Sequence, residues 1–289
     1  MKRIFTAIVL TLSLFAAFGC KQKGANDFIG VQMYSVRDYL NPLDEGVAKI
    51  AKAGFSFVEM ANYNQEQGLF YGLAPADFKA LCEKNGLQVL SSHTNGLNPD
   101  RYPMEECVEW WRKAIEDHVA AGCKTIVAPS MAADSLQTLA RYCELFNKVG
   151  EMAGEAGLKF GYHNHDNEFK FKYTQQDGSE ISWYDYLLAN TDPDKVFFQL
   201  DLYWATKGGV NPVDLFKAHP GRFYMWHVKD ELEVGDPATN CVDFPEIYKY
   251  ASLAGLKYQV VEQEGFTEGV EPYESIKRSL DYVKTMRPE

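Results

Sequence analysis

Four apolar segments in the C-terminal half of the chain each end in a side chain that can bind a divalent metal. Imidazole and carboxylate groups at the carboxyl ends of neighbouring parallel strands converge on one edge, where they can share an ion. Two imidazoles and two carboxylates suit Mn²⁺, Co²⁺, Fe²⁺ or Zn²⁺, because Mg²⁺ prefers more oxygen ligands. The sequence therefore predicts one bound divalent metal ion. The predicted ligands are His163 after the run 160–162, Asp201 after 196–200, His227 after 223–226 and Glu262 after 258–261.

Each of these side chains also has a purely structural interpretation. Asp201 at a strand end could cap the next helix, and His227, in an aromatic run, could be a satisfied core histidine. Glu262 could pair with a nearby lysine. Four consecutive segments that end alike are hard to explain by packing alone, so the set favours a metal site.

A glycine that ends a helix precedes six of the apolar segments, and these glycines recur at a regular interval. Glycine tolerates the left-handed backbone that closes a helix, so each one predicts a helix end before a strand. The intervals are 32 to 36 residues, except for one of 64 that holds two units with 196–201 as the inner strand. One strand with its crossover helix takes about 30 residues or more. With 29–34 in front, the pattern predicts eight strands. The glycines are Gly54, Gly86, Gly122, Gly157, Gly221 and Gly255.

The segments between the strands have the pattern of helices. Residues 104–121 carry apolar side chains at three- and four-residue spacing, as do 136–153 and 272–286. Strand and helix that alternate over eight units predict an α/β protein, a (β/α)8 TIM barrel that spans residues 28–289 as one domain. A doubly wound open sheet is the alternative, but no GxGxxG motif follows the first strand and eight nearly equal units favour closure.

The N-terminus has the pattern of an export signal. Lys2 and Arg3 precede an apolar run at 4–18, which is too short for a permanent membrane span. Cys20 directly after Gly19 is typical of a bacterial lipoprotein cleavage site; a plain secretory peptide is the alternative. We therefore expect a signal peptide at 1–20, lipidation of Cys20, a tether at 21–27, and an exported, periplasmic protein that contacts the membrane only through its lipid.

The net charge limits the classes of partner that we expect, and the cysteine content limits the disulfides. The net charge of −11 argues against a nucleic-acid partner, because such proteins need a basic surface. Five cysteines remain after Cys20, an odd number without CxxC spacing. We expect buried thiols, with one disulfide as the alternative.

Five short segments, taken together and in this order, resemble the sugar phosphate isomerase/epimerase family with the xylose isomerase-like TIM barrel. The resemblance covers residues 28–285 and implies an enzyme that acts on a sugar or keto-sugar. The segments are IGVQMYSVR at 29–37, YHNHD at 162–166, LD at 200–201, WHVKD at 226–230 and VEQ at 261–263.

The chain departs from the family pattern at one metal position and at two substrate positions. The resemblance implies ligands Glu, Asp, His and Glu from strands five to eight, and His163 stands where the first glutamate is expected. Epimerases of the family use that carboxylate as a base. Where ketose 3-epimerases place a histidine and an arginine, this chain has Trp204 and Glu233. These differences argue against simple ketose epimerisation.

The chemistry that such a metal favours is proton abstraction beside a carbonyl, through an enediolate. His165, Glu262 and Glu264 are the candidate bases, and Lys229 could stabilise the oxyanion or protonate a leaving group. His165 could instead support a metal ligand, and Lys229 could form a salt bridge at the barrel rim. Glu59, His93 and Trp204 are expected to face the substrate, although Glu59 could equally pair internally.

The enediolate has three outcomes, and the sequence leaves them open. Reprotonation gives epimerisation or isomerisation. Expulsion of a β-substituent gives a lyase or dehydratase, the outcome implied by some members of the resembled family, including inosose dehydratases and enzymes that act on 3-keto-glycosides. A non-catalytic, anchored carbohydrate-binding barrel is a further alternative. An endonuclease IV-like phosphodiesterase would need more metal ligands and a less acidic chain. Whether the protein forms a homo-oligomer is also left open.

Overall fold

The computed structural model of the protein describes residues 28–286. The signal peptide predicted at 1–20, with Cys20, and the tether at 21–27 lie outside the described residues and stay predictions. Within the described range, no helix combines the length and the apolar character that a membrane crossing requires.

Eight parallel strands form the barrel and confirm the predicted fold. They are ordered β3-β2-β1-β8-β7-β6-β5-β4. A parallel bridge between His93 and Val127 joins β3 to β4, and the Thr94 amide donates to the Val127 carbonyl at 2.8 Å. The sheet therefore closes on itself, and the open-sheet alternative is wrong. The strands are β1 Ile29–Gln32, β2 Phe57–Met60, β3 Gln88–Ser92, β4 Thr125–Ala128, β5 Lys159–His163, β6 Val196–Asp201, β7 Met225–Val228 and β8 Tyr258–Val261.

Helices connect the strands on the outside of the barrel. The predicted helix-ending glycines all have left-handed φ angles, for example 103° at Gly54 and 85° at Gly255. A 3₁₀ helix, Met33–Tyr39, follows β1, so the predicted first strand is two residues too long. The helices are α1 Leu43–Ala53, α2 Pro75–Lys84, α3 Met104–Ala120, α4 Leu136–Glu155, α5 Asn167–Lys170, α6 Trp183–Asn190, α7 Leu202–Lys207, α8 Pro212–Ala218, α9 Phe244–Tyr248, α10 Ala251–Ala254 and α11 Pro272–Val283. Two short hairpins pair Tyr63–Asn64 with Leu69–Phe70 and Lys172–Thr174 with Glu180–Ser182.

The interior of the barrel consists of an apolar layer below a polar layer. Side chains alternate along a strand, so residues two apart share the inner face. The position two residues after Phe57 is Glu59, and Gln199 follows Phe197 in the same way. His227 stands two residues after Met225 by the same rule. The polar layer therefore lies toward the carboxyl ends of the strands. The apolar layer consists of Phe57, Leu90, Val127, Phe197, Met225 and Val260.

The outer faces of the strands pack against the helices. Phe160 on β5 lies 5.3 Å from the ring of Trp111 on α3, and Trp226 on β7 stacks on Phe216 of α8 at 5.0 Å. Both faces of these strands are buried, which explains why they read as continuous apolar runs in the sequence.

All five cysteines in the described residues are free thiols. Four are buried, as predicted, and no disulfide forms among them. Cys241 is exposed, which contradicts the prediction for that residue. Its thiol donates to Asp230 at 3.1 Å instead of packing in the core.

Two strand glycines make room for aromatic rings of the neighbouring strand. Gly30 pairs with Phe57 in the β1–β2 register, and Gly161 pairs with Phe197 in the β5–β6 register. A Cβ atom at Gly30 would lie 2.0 Å from the Phe57 ring, and one at Gly161 would lie 2.5 Å from the Phe197 ring. These rings fill the apolar layer of the barrel because the glycines have no side chain.

Replacing Gly30 with alanine should destabilise the barrel by about 1–3 kcal/mol, because the buried Phe57 ring has no space to move. The measurement is the midpoint and slope of urea unfolding. Gly154→Ala is the matched control, since no atom lies within 4 Å of its Cβ position on the exposed side of α4. It should raise stability by up to about 1 kcal/mol through helix propensity. Equal effects of the two substitutions would contradict the role of the glycine–aromatic pair.

Candidate active site

Four side chains from β5 to β8 meet below the mouth of the barrel. They are the four predicted metal ligands, and one donor atom of each lies within 4.8 Å of a donor atom of every other. All four are buried. The set consists of His163 and Asp201, which end β5 and β6, His227 on β7 and Glu262 directly after β8.

The two carboxylate oxygens of Asp201 have different surroundings. Its Oδ1 accepts a hydrogen bond from the Trp204 amide at 2.8 Å and so caps α7. Its Oδ2 is buried and has no hydrogen-bond partner among the described residues. Burial raises the pKa of Asp201 to about 7, although the charge of Lys229 opposes the rise. A buried carboxylate oxygen without a hydrogen bond calls for an explanation, and its position beside other donor atoms makes it available to bind a metal ion.

His227 lies between two carboxylates. Its Nε2 is 2.5 Å from Oε1 of Glu59, and its Nδ1 is 3.1 Å from Oε2 of Glu262 and 4.0 Å from Oδ2 of Asp201. Burial disfavours the charged imidazolium, but Glu59 and Glu262 outweigh this effect and raise the pKa of His227 to about 10. Two carboxylates that attract a proton here would also attract a divalent cation.

Glu59 is completely buried and accepts hydrogen bonds from four other strands. Its Oε1 accepts from Gln32 at 2.9 Å and from His227, and its Oε2 accepts from Ser91 at 2.6 Å and Gln199 at 2.7 Å. Burial alone would raise the pKa of Glu59, but the charges of His93 and His227 lower it to about 2. Glu59 does not line the inner cavity described below, so the geometry favours internal pairing over substrate contact.

Gln199 connects the polar layer to two further histidines. Its Oε1 lies 2.6 Å from Nε2 of His93 and 3.1 Å from Nδ1 of His163, and both nitrogens can donate to it. Burial and the neighbouring charge of His227 hold the pKa of His163 well below its usual value. His163 is therefore neutral, which is the form that binds metals.

A cavity of about 410 Å³ opens above this cluster, and we call it the inner cavity. Six of the predicted site residues line it, whereas Asp201, His227 and Glu59 lie deeper. The full set of lining residues is Tyr34, Ala61, His93, Asn95, Pro129, Ser130, His163, His165, Trp204, Glu262 and Glu264.

Lys229 lies behind two of the cavity carboxylates. Its ammonium group hydrogen-bonds Glu264, lies 3.6 Å from Glu262 and sits 5.1 Å from the centre of the Trp204 ring. Burial opposes its charge, but Glu262, Asp201 and Glu264 together raise the pKa of Lys229. This placement agrees with the salt-bridge interpretation of Lys229.

The sequence interpretation missed several residues that the site uses. Gln199 carries a usable signal, since it stands two residues before Asp201 and therefore shares its strand face. Asn164 accepts from the Asp201 amide at 3.0 Å and fixes the end of β6. Asn95 and Ser130 line the inner cavity but follow no pattern that the sequence reveals.

The four ligands fit a divalent metal on three grounds. Among residues 28–286, Oδ2 of Asp201 accepts no hydrogen bond. His163 is neutral, and Nε2 of His227 faces Glu59 so that its Nδ1 faces the cluster. A carboxylate that holds the second nitrogen of a histidine ligand is the usual supporting contact in metal sites.

Comparisons with known proteins agree with this architecture. A sugar phosphate isomerase/epimerase from Parabacteroides distasonis is 32% identical, with a TM-score of 0.83 over 91% of this chain and 95% of that one. The inosose dehydratase of Geobacillus kaustophilus is 23% identical over 281 residues, 83% of this chain and 86% of the relative. The D-allulose 3-epimerase of Methylomonas sp., 14% identical with a TM-score of 0.69 over 90% of this chain and 98% of that one, shares the fold. The family model for the xylose isomerase-like TIM barrel matches residues 47–286, and the chain belongs to that family.

Proposed function

We propose that the protein is a divalent-metal-dependent enzyme that removes a proton beside the carbonyl of a sugar or keto-sugar. The observation that carries this proposal is the buried cluster of four donor side chains at the floor of a 410 Å³ cavity, with one carboxylate oxygen left unpaired. Cavities of about 300–1,000 Å³ suit small-molecule substrates. The names of the relatives, which include isomerases, epimerases and dehydratases, support a sugar substrate.

The metal would be held by His163, Asp201, His227 and Glu262. When bound, such an ion polarises a carbonyl oxygen and stabilises the negative charge that develops as the adjacent proton leaves. Glu59 and Gln199 hold His227 and His163 in place through their second ring nitrogens, so the donor atoms are oriented in advance.

His165 is the best placed residue to take the proton. It lines the inner cavity, and neither of its ring nitrogens has a hydrogen bond within residues 28–286. Glu262 and Glu264, the other candidate bases, both contact Lys229. A side chain with an uncommitted lone pair beside the substrate is best suited to general base catalysis.

Glu264 lines the inner cavity, and Lys229, which lies behind it, is the candidate source of a proton. Glu264 is 42% exposed and faces the inner cavity, while the buried Lys229 hydrogen-bonds its carboxylate. This pair can deliver a proton to a neighbouring carbon or to a departing oxygen. The Trp204 ring, which also lines the cavity, can stack on a sugar face.

A second candidate outcome is β-elimination, as in a dehydratase or a keto-glycoside lyase. Where the ketose epimerases that the chain resembles would have an arginine, Glu233 is buried and accepts from Ser275 and Thr267 at 2.6 Å and 2.5 Å, outside the inner cavity. The equivalent of their histidine is Trp204. These differences, together with the inosose dehydratase relative, favour elimination over epimerisation. Export and lipid anchoring through Cys20 remain our proposal from the sequence.

The reaction class can be tested by incubating the metal-loaded protein with ketoses, inososes and 3-keto-glycosides in D₂O. Deuterium at the carbon beside the carbonyl without bond cleavage would identify an isomerase or epimerase. Release of water or of an aglycone would identify a lyase. If sugars bind without exchange or cleavage, the non-catalytic binding barrel is correct and the proposed function is wrong.

Removal of a ligand should abolish tight metal binding. The wild-type protein should retain about one divalent ion per chain after dialysis. Asp201→Asn and His227→Ala should each lose it, because one donor atom disappears. Metal content by inductively coupled plasma mass spectrometry is the measurement, and His219→Ala, a histidine outside the inner cavity, is the control. Unchanged metal content in both ligand variants would refute the site.

Glu59→Gln should weaken metal binding by about 10–100-fold, because Glu59 is not one of the four ligands but holds the second ring nitrogen of the ligand His227. The glutamine side-chain oxygen accepts a hydrogen bond from His227 more weakly than the carboxylate does, and the new amide can also turn its N–H group toward the imidazole ring. Competition with a fluorescent chelator measures the affinity. Glu233→Gln, another buried glutamate that accepts side-chain hydrogen bonds, is the matched control and should bind metal as the wild type does.

His165→Asn should lower the rate of proton exchange by about 10²–10⁴-fold while the metal stays bound. The side chain keeps its approximate size but loses the basic nitrogen. The rate is followed by NMR in D₂O, and metal content is measured on the same samples. A wild-type exchange rate in this variant would assign the base to Glu262 or Glu264 instead.

A further inference from the structure

A second cavity adjoins the inner cavity on the side of β1 and β2. It encloses about 520 Å³, and Tyr34 and Ala61 belong to the walls of both spaces. We call it the outer cleft. A substrate bound in the inner cavity could therefore extend past this shared wall. The outer cleft is lined mainly by Tyr34, Arg37, Asn41, Ala61, Asn62 and Tyr71.

The Tyr34 ring is fixed in place as a platform between the two spaces. The Arg37 guanidinium lies 4.0 Å from the centre of this ring, and Arg37 also donates to the Tyr34 carbonyl at 2.9 Å. The Tyr34 amide donates to Gln32 at 3.1 Å, and Gln32 in turn donates to Glu59. Tyr34 nevertheless keeps 43% of its surface exposed. The backbone of Tyr34 is thus fixed by two hydrogen bonds, Arg37 covers one face of the ring, and part of the side chain is open to a ligand.

Tyr71, another residue in the wall of the outer cleft, has an unusual backbone conformation. Tyr71 has a φ of 51°, which is rare for a bulky side chain and persists only where its surroundings fix it. Its hydroxyl accepts from the Ala61 amide at 3.1 Å, and its amide donates to the Asn62 carbonyl at 3.3 Å. The Tyr71 ring stacks on Phe78 at 5.5 Å. These contacts preform the wall of the cleft beside the inner cavity.

The chemistry of the outer cleft suits a neutral ring with hydroxyl groups. The Asn41 and Asn62 carboxamides form no side-chain hydrogen bond within residues 28–286, so their donors and acceptors are available. Arg37 is the one charged residue among those that line the cleft, and Asp38 lies 3.8 Å from it. A phosphate group in the cleft would find only the Arg37 guanidinium as a positive charge, and Asp38 partly neutralises it. An aromatic platform with planar polar side chains is the better match for a sugar ring.

We propose that the outer cleft is a subsite for a second, uncharged ring that is joined by a glycosidic bond to the sugar in the inner cavity. The substrate class would then be glycosides of at least two rings. This inference rests on the proposed function, because it assumes that the reacting ring occupies the inner cavity.

The test compares two substrates with the same reacting ring. Methyl β-glucoside and cellobiose, each oxidised to the 3-keto form on the non-reducing ring, are given to the metal-loaded protein. We expect a kcat/KM about tenfold higher for the two-ring compound, as for one or two added hydrogen bonds. Arg37→Ala and Asn62→Ala should each lower this preference several-fold. Arg112→Ala, an exposed arginine with an acidic neighbour on α3, is the matched control.

Two outcomes would overturn the inference. One is equal kcat/KM for the two compounds in the wild-type protein, and the other is an unchanged preference in both cleft variants. If neither compound reacts, the D₂O test with ketoses and inososes judges the proposed function separately, and calorimetric binding of the two compounds judges the subsite by itself. Tighter binding of the two-ring compound that is lost in Arg37→Ala would support the subsite, and equal binding would refute it.

Discussion

The buried carboxylate of Glu59 is the interaction on which the rest of the site depends. It lies inside the barrel with no exposed surface, where an unpaired charge would be very unfavourable. Four side chains from four other strands donate to it, and one of these is His227. The charge is therefore compensated only when β1, β2, β3, β6 and β7 are all in place. The same contact sets the orientation of a candidate metal ligand, so the closure of the barrel and the geometry of the site share one group.

This arrangement explains why the polar residues form a layer instead of scattered contacts. A strand that places an apolar side chain in the lower layer places its next inward residue in the polar layer. Phe57 thus precedes Glu59, and Met225 precedes His227. The glycines at 30 and 161 let large rings fill the lower layer, which closes the barrel below the site. An apolar floor lowers the local dielectric constant and so strengthens the electrostatic interactions above it.

Much of the fold and part of the site could be predicted from the sequence, because both follow local patterns. Glycines at regular intervals marked the helix ends, and ligand side chains followed apolar runs. The network around Glu59 could not be predicted, since Glu59 and His227 are 168 positions apart and meet only when the barrel closes. The first strand ends earlier than predicted because the Gln32 side chain caps the 3₁₀ helix that follows. The apolar residues on either side of Gln32 make the segment resemble a longer strand in the sequence. The role of Lys229 depends on how deeply its side chain is buried, and the sequence does not show this.

Asp201 divides its two oxygens between a helix and the cluster of candidate metal ligands. Oδ1 caps α7 and Oδ2 points toward the other ligands, so the carboxylate cannot rotate without releasing the helix start. The rotational entropy of this ligand is thus lost when the chain folds and not when an ion binds. Trp204, whose amide forms the cap, is placed over the cavity by the same bond. The position of a cavity-lining ring and the orientation of a candidate metal ligand are consequently set together, by the folding of one short helix.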